Sequence, residues 1–159
     1  MVSVRFDSAD EMSAFIEELL TKPQAELDAL YSAHEAGAIP DGSSEGTLII
    51  APGTRFTRPV ARLMKTFVWQ GKVFDVQRGT MRNRVLPFGI EAVVAKVYRA
   101  PSWLDGKECI VLDYSDTSIV ARWSRDEIRL IAPDIYLGKA YWGRSRLIDF
   151  ALAFNVKPR

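Results

Sequence analysis

Residues 123–142 read WSRDEIRLIAPDIYLGKAYW. Two β-favouring runs, EIRLIA (127–132) and DIYLGKAYW (134–142), meet at Ala132-Pro133-Asp134, a turn signal. Four of the five residues from Arg125 to Arg129 are charged. Alternation puts Glu127 and Arg129 on one strand face and Ile128 and Leu130 on the other, with Arg125 and Asp126 at a corner. The charges then belong either to a cluster held inside a barrel or to a solvated corner between strands. Exposed ion pairs of the second kind contribute little stability.

The same two-residue period extends in both directions. In RLIDFALAF (146–154), Ile148, Phe150, Leu152 and Phe154 share one face. Asp149, Ala151, Ala153 and Asn155 form a small second face, suited to solvent or to a barrel interior left hollow. In KECIVLDYS (107–115), Cys109, Val111 and Asp113 alternate with Ile110, Leu112 and Tyr114, so both faces are apolar and covered. KVFDVQR (72–78), MRNRVLPF (81–88), EAVVAKVYRA (91–100) and SIVARW (118–123) read as further short strands. Asp105-Gly106, within WLDGKE, is the strongest hairpin signal in the chain. Successive short strands without intervening helices predict an antiparallel barrel of about eight strands.

Before Trp69 the period is helical. SADEMSAFIEELL (8–20) carries Met12, Phe15, Ile16, Leu19 and Leu20 on one face, with Ser8 or Asp7 as cap and Glu11 completing a capping box. QAELDALYSAHEAG (24–37) predicts a second helix with Leu27, Leu30 and Tyr31 on one face, ending at Gly37. AIPDGSSEG (38–46) reads as a turn-rich connection and TLIIAPG (47–53) as one short strand. RPVARLMKTFV (58–68) predicts a third helix near 58–67, with Pro59 in its first turn. The expected organisation is one α+β, mainly β domain over 1–159, with a helical segment 1–37 and a barrel 46–159.

LMKTFVWQGKVFD (63–75), with Trp69, Gly71, Lys72 and Phe74, resembles the W-x-G-K-x-F signature of a bacterial family named for its GxWxG motif. IVLDYSDTSIVARWSRDEIRLIAPDIYLG (110–138) is similar to that family's second half. The resemblance implies a lipocalin-like, calycin-type barrel and no particular activity. Where the family's Gly-x-Trp-x-Gly belongs, this chain reads GAIPDGSSEG (37–46), with glycines and no tryptophan.

Composition narrows the chemistry. One histidine (His34) and one cysteine (Cys109) are too few for the usual zinc, heme or iron–sulfur sites, and no calcium loop is present, so no metal or cofactor is expected. Neither a Gly-rich phosphate loop nor a nucleophile elbow occurs. No apolar run reaches membrane-spanning length and no leader opens the chain, which predicts a cytoplasmic protein without an integral membrane segment. Net charge is −8 over 1–45, +7 over 46–86 and +2 over the remainder. The basic residues are scattered without interleaved aromatics, so no nucleic-acid partner is expected, and the acidic helices are expected to neutralise the basic segment.

Barrels of this class hold small apolar ligands oriented by a few inward polar groups. The leading expectation is a lipid-like or fatty-acid-like ligand in the cavity, contacted by Trp69, Lys72, Ser118, Arg122, Glu127 and Tyr136. The alternative is a cofactor-free isomerase, cyclase or decarboxylase. In it Asp113, Tyr114, Arg125 and Asp126 act: an inward Arg binds a carboxylate, a buried Asp trades a proton, and a Tyr donates to an oxyanion. A third reading is a protein-interaction module. Trp69, Trp103, Trp123 and Trp142 read as plugs and core. Oligomeric state stays open, a dimer included.

Overall fold

The structure, a computed structural model, describes residues 5–50, 68–86, 94–117 and 121–156; for 68–70, 84–86 and 121 it describes the backbone alone. Two helices, α1 (Ala9–Thr21) and α2 (Gln24–Ser32), precede eight strands. The strands are β1 (Gly42–Ile49), β2 (Val68–Asp75), β3 (Thr80–Leu86), β4 (Val94–Pro101), β5 (Glu108–Asp113), β6 (Ser124–Ala132), β7 (Ile135–Trp142) and β8 (Ser145–Phe154). They form a closed barrel in chain order, every neighbouring pair antiparallel. Closure removes the edges an open sheet would expose.

Two expectations need correction. Gly42–Glu45 is the first half of β1 rather than a turn, because β1 lies along β8 from Ser44↔Phe154 to Ile49↔Asp149 and there supplies the closing seam. Within SIVARW, residues Ala121–Trp123 form a 3₁₀ turn, and 118–120, with Ser118, lie outside the described residues. The third helix near 58–67 also falls outside them.

The barrel has two apolar compartments. Inside, Phe74, Met81, Leu112, Ile128, Phe150 and Leu152 form one cluster. Outside, Cys109, Val111, Leu137, Ala151 and Ala153 pack under Met12, Leu19, Leu27 and Tyr31 of the two helices. The small β8 face is therefore neither solvated nor a hollow interior; its alanines let helices approach the sheet. Ser8 Oγ caps α1 by accepting from Glu11 N at 3.2 Å, and the Glu11 carboxylate accepts from Asp7 N at 2.7 Å.

The second helix stops at Ser32, before the expected Gly37. Tertiary contacts claim the following residues. Leu130 N donates to Ala36 O at 3.2 Å and Tyr136 OH donates to Ala38 O at 2.6 Å. Ala36 and Ile39 join the interior cluster, so this connector closes the barrel at the β6–β7 turn end. Gly37 has φ +75, and a Cβ there would stand 2.5 Å from Leu130 Cβ.

Candidate functional site

The opposite end of the barrel gathers polar side chains. Lys72 Nζ donates to Asp126 Oδ2, Tyr114 OH and Asn83 Oδ1, each at 2.8 Å. Tyr114 OH donates to Asp126 Oδ2 at 3.0 Å, and Asn83 Nδ2 donates to Tyr114 OH at 3.2 Å. Because β2 and β6 are not neighbours in the sheet, Lys72 and Asp126 can meet only across the interior. Lys72, Tyr114 and Asp126 are buried, and Asn83 is half-buried. The Lys72 ammonium also lies over the Phe150 ring, 5.2 Å from its centroid.

Local geometry aims these groups. A bulge between Trp69 and Gly71 shifts the β2–β3 register. Gly71 has φ +125, and a Cβ there would stand 2.3 Å from Ser44 O, so only glycine lets β1 approach. Past the bulge, Lys72 pairs with Asn83 and Phe74 with Met81, and alternation turns both pairs inward. Opposite, the Phe150 ring lies across Gly138, where a Cβ would stand 2.2 Å from it. The ring thus packs against the Lys72 ammonium, and Tyr114 joins it in the apolar interior cluster.

Burial, with the Asp126 charge beside it, pushes the Tyr114 phenol well above its ordinary value. The phenol stays protonated at neutral pH and acts as a donor. An acidic acceptor, a buried ammonium, a neutral phenol and an amide therefore converge inside an otherwise apolar wall. That set can hold an oxygen-bearing head group or move a proton on it.

Of the residues singled out in the sequence, Lys72, Tyr114 and Asp126 come together here. Asn83 was missed, although alternation in MRNRVL puts it on the face of Met81. The others lie elsewhere. Tyr136 faces the interior at the connector end. Asp113 is on the outer face, accepting from Tyr98 OH at 2.7 Å and Ser115 N at 2.9 Å. Burial raises its carboxyl, but the hydrogen bonds from Ser115 and Tyr98 outweigh it and hold the group below its ordinary range. Arg122 is exposed. The Trp69 side chain is outside the described residues.

Glu127 and Arg129 share one strand face as alternation predicts, but that face is the outer one, so Glu127 is not a cavity contact; α2 and the β4–β5 loop bury both residues completely. The Glu127 carboxylate accepts from Ser102 Oγ (2.6 Å), Trp103 N (2.7 Å), Arg125 Nη2 (2.9 Å) and Tyr31 OH (3.3 Å). Arg129 donates to both Asp105 oxygens at 2.6 and 2.7 Å and to the Tyr31 carbonyl at 3.1 Å. Lys139 bridges Asp28 (2.8 Å) and Asp149 (3.0 Å), and Arg146 also reaches Asp28 at 2.5 Å. Among the described residues one buried oxygen of this belt, Asp149 Oδ1, accepts no hydrogen bond; the remaining contacts fasten α2 to the sheet. The described ion pairs from the acidic helices to the barrel run to Lys139 and Arg146 instead of the basic segment 46–86.

Trp123 and Trp142 are exposed rather than core. Cys109 is buried, with its thiol pushed up to about 12 chiefly by desolvation, which makes it an inert packing group. Among the described residues no group of three or more potential metal ligands assembles, and no helix is long and apolar enough to cross a membrane.

No protein-family model matches the chain, and a search of curated proteins finds no match. Among solved structures, the chain is similar to a crystal structure of a protein from Thermomonospora curvata. The TM-score is 0.60 at 18% sequence identity, covering 91% of this chain and 97% of that one. At that identity the likeness shows a shared fold.

Proposed function

We propose that this chain is a lipocalin-like binding protein that holds a small amphiphilic molecule in its barrel, with the molecule's oxygen-bearing head at Lys72, Asn83 and Tyr114. The observation that carries this reading is the buried Lys72–Asp126 pair on the inner wall. Desolvating two charges costs several kcal/mol per ion, and a well-packed apolar pair of similar volume is often as stable. A pair retained at that cost suits recognition better than packing. Asn83, the half-buried member, is the contact a carboxylate or carbonyl head would replace. The resemblance to the GxWxG family fits the same reading, since its W-x-G-K-x-F element supplies Gly71, Lys72 and Phe74.

A second reading has one observation in its favour. Tyr114 receives from Lys72, donates to Asp126 and is kept protonated by burial, as a proton donor to a developing oxyanion would be. On this reading the acid–base residues are Asp126 and Tyr114, and Asp113 and Arg125 take no part.

The test is native mass spectrometry of protein purified from cells, followed by organic extraction. We expect a stoichiometric amphiphile that is absent from a folded Lys72→Met variant. A clean wild-type protein that also fails to take up fatty acids or isoprenoid acids at micromolar concentration would sink the binding reading. Conversion of the extracted molecule by wild type but not by Tyr114→Phe would favour the enzyme.

A further inference from the structure

Outside the barrel, at the end that carries the Lys72 cluster, lies a groove of about 340 Å³. Its walls are Tyr98, Trp103, Arg122, Trp123, Arg125 and Arg144. Three elements meet there: the β4–β5 loop, the 3₁₀ turn before β6, and the β7–β8 turn. Gly143 N donates to Trp123 O at 2.8 Å, which ties the last two together. The Arg125 and Arg144 guanidinium carbons lie 4.4 and 4.5 Å from the centroid of the Trp103 ring, and that of Arg122 lies 4.9 Å from Trp123.

A guanidinium held over a ring face keeps its in-plane N–H donors available for hydrogen bonds. Arg125 spends its donors on Glu127 and on Pro101 O. Among the described residues, neither Arg122 nor Arg144 has a carboxylate partner. The wall's single carboxylate, Asp113, is engaged by Tyr98 and Ser115. Glu127 offsets the Arg125 charge at 2.9 Å, so the cations of this wall without a carboxylate among the described residues are Arg122 and Arg144. Trp123, 54% exposed, and Tyr98, 38% exposed, offer flat apolar surface beside the cations. The volume is at the small end of the range for ligand clefts, about 300–1,000 Å³.

We propose that this groove is a second binding site, separate from the barrel interior, and that it takes a small planar aromatic anion: a ring bearing a carboxylate or a phosphate. The ring lies against the indoles and Tyr98, and the anionic group takes the free donors of Arg122 and Arg144. Bidentate guanidinium contacts of this kind add geometric selectivity to charge.

The test is calorimetric titration of the full chain at low salt with two probes, adenosine 5′-monophosphate and indole-3-acetate. Each is compared with its halves: adenosine and inorganic phosphate, or indole and acetate. At least one probe is expected to bind with a Kd below about 1 mM and about tenfold tighter than either of its halves. Arg122→Gln and Arg144→Gln, both at surface positions, should each weaken it about tenfold, and added salt should weaken it further. Failure of both probes at millimolar concentration would overturn the proposal. So would a half that binds as well as the whole, or a double variant Arg122→Gln/Arg144→Gln that binds unchanged. None of these variants touches the interior, so the outcome is independent of what extraction finds in the barrel.

Discussion

At the residue scale, Gly71 and the Lys72–Asp126 pair carry the most specific consequences. Gly71 combines a left-handed backbone with a 2.3 Å approach to Ser44 O. Gly71→Ala therefore has no relaxed solution without moving β1, and we expect a loss of about 1–3 kcal/mol in denaturant unfolding. A near-neutral result would mean that the bulge opens readily. For the buried pair, Lys72→Met leaves the Asp126 carboxylate without its cation, with an expected cost of about 3–5 kcal/mol. The double variant Lys72→Met/Asp126→Leu removes both charges and should recover much of that loss. Additive costs in the full mutant cycle would show that the two groups are not energetically coupled.

At the element scale, the second helix stays on the barrel through charge as much as through apolar contact. Arg129 hydrogen bonds hold the Asp105 carboxyl far below its ordinary value of 3.8. Asp28 is also lowered: burial would raise it, but Lys139, Arg146 and Gln24 outweigh that. A carboxyl depressed in the folded state stabilises above its unfolded pKa, and that contribution is lost as pH falls through the folded value. Stability should therefore hold near neutrality and decline below about pH 4, with the ordinary carboxyl value as the upper edge of the window. Asp105→Asn should be less stable at pH 7 and show a shallower decline between about pH 4 and pH 2 in thermal melts. A variant whose acid decline parallels that of wild type would remove Asp105 from the linkage.

Across the whole molecule the barrel is closed, and its described strands differ in how far they are buried. Much of β4 faces solvent. On the other side, β6, β7 and β8 are joined by long ladders and buried on both faces over most of their length. Among the described strands, local opening should be easiest at β4, because local stability follows buried apolar contact and protected backbone hydrogen bonds. Hydrogen exchange is expected to protect β7 and β8 amides most and the described β4 amides least. Uniform protection around the barrel would show that it opens only as a unit.

Much of this architecture was legible in the chain itself. A strand's period of two is local chemistry, and it sorted Ile128 from Glu127 and Leu112 from Val111 correctly in advance. Turn chemistry at Pro133-Asp134 likewise marked where β6 ends and β7 begins. What period two does not state is which face lies inside. That choice depends on what covers the other face, and here α1 and α2 cover Ala151 and Ala153, so Phe150 and Leu152 turn inward. The same limit governed the site. Lys72 and Asp126 are 54 positions apart in sequence, and alternation set Asn83 only on the face of Met81; closure of the barrel brought them to one point. Asp113 and Asp126 looked alike as carboxylates at strand ends. Pairing register set one outside and the other within, because a strand turned by one residue exchanges its faces.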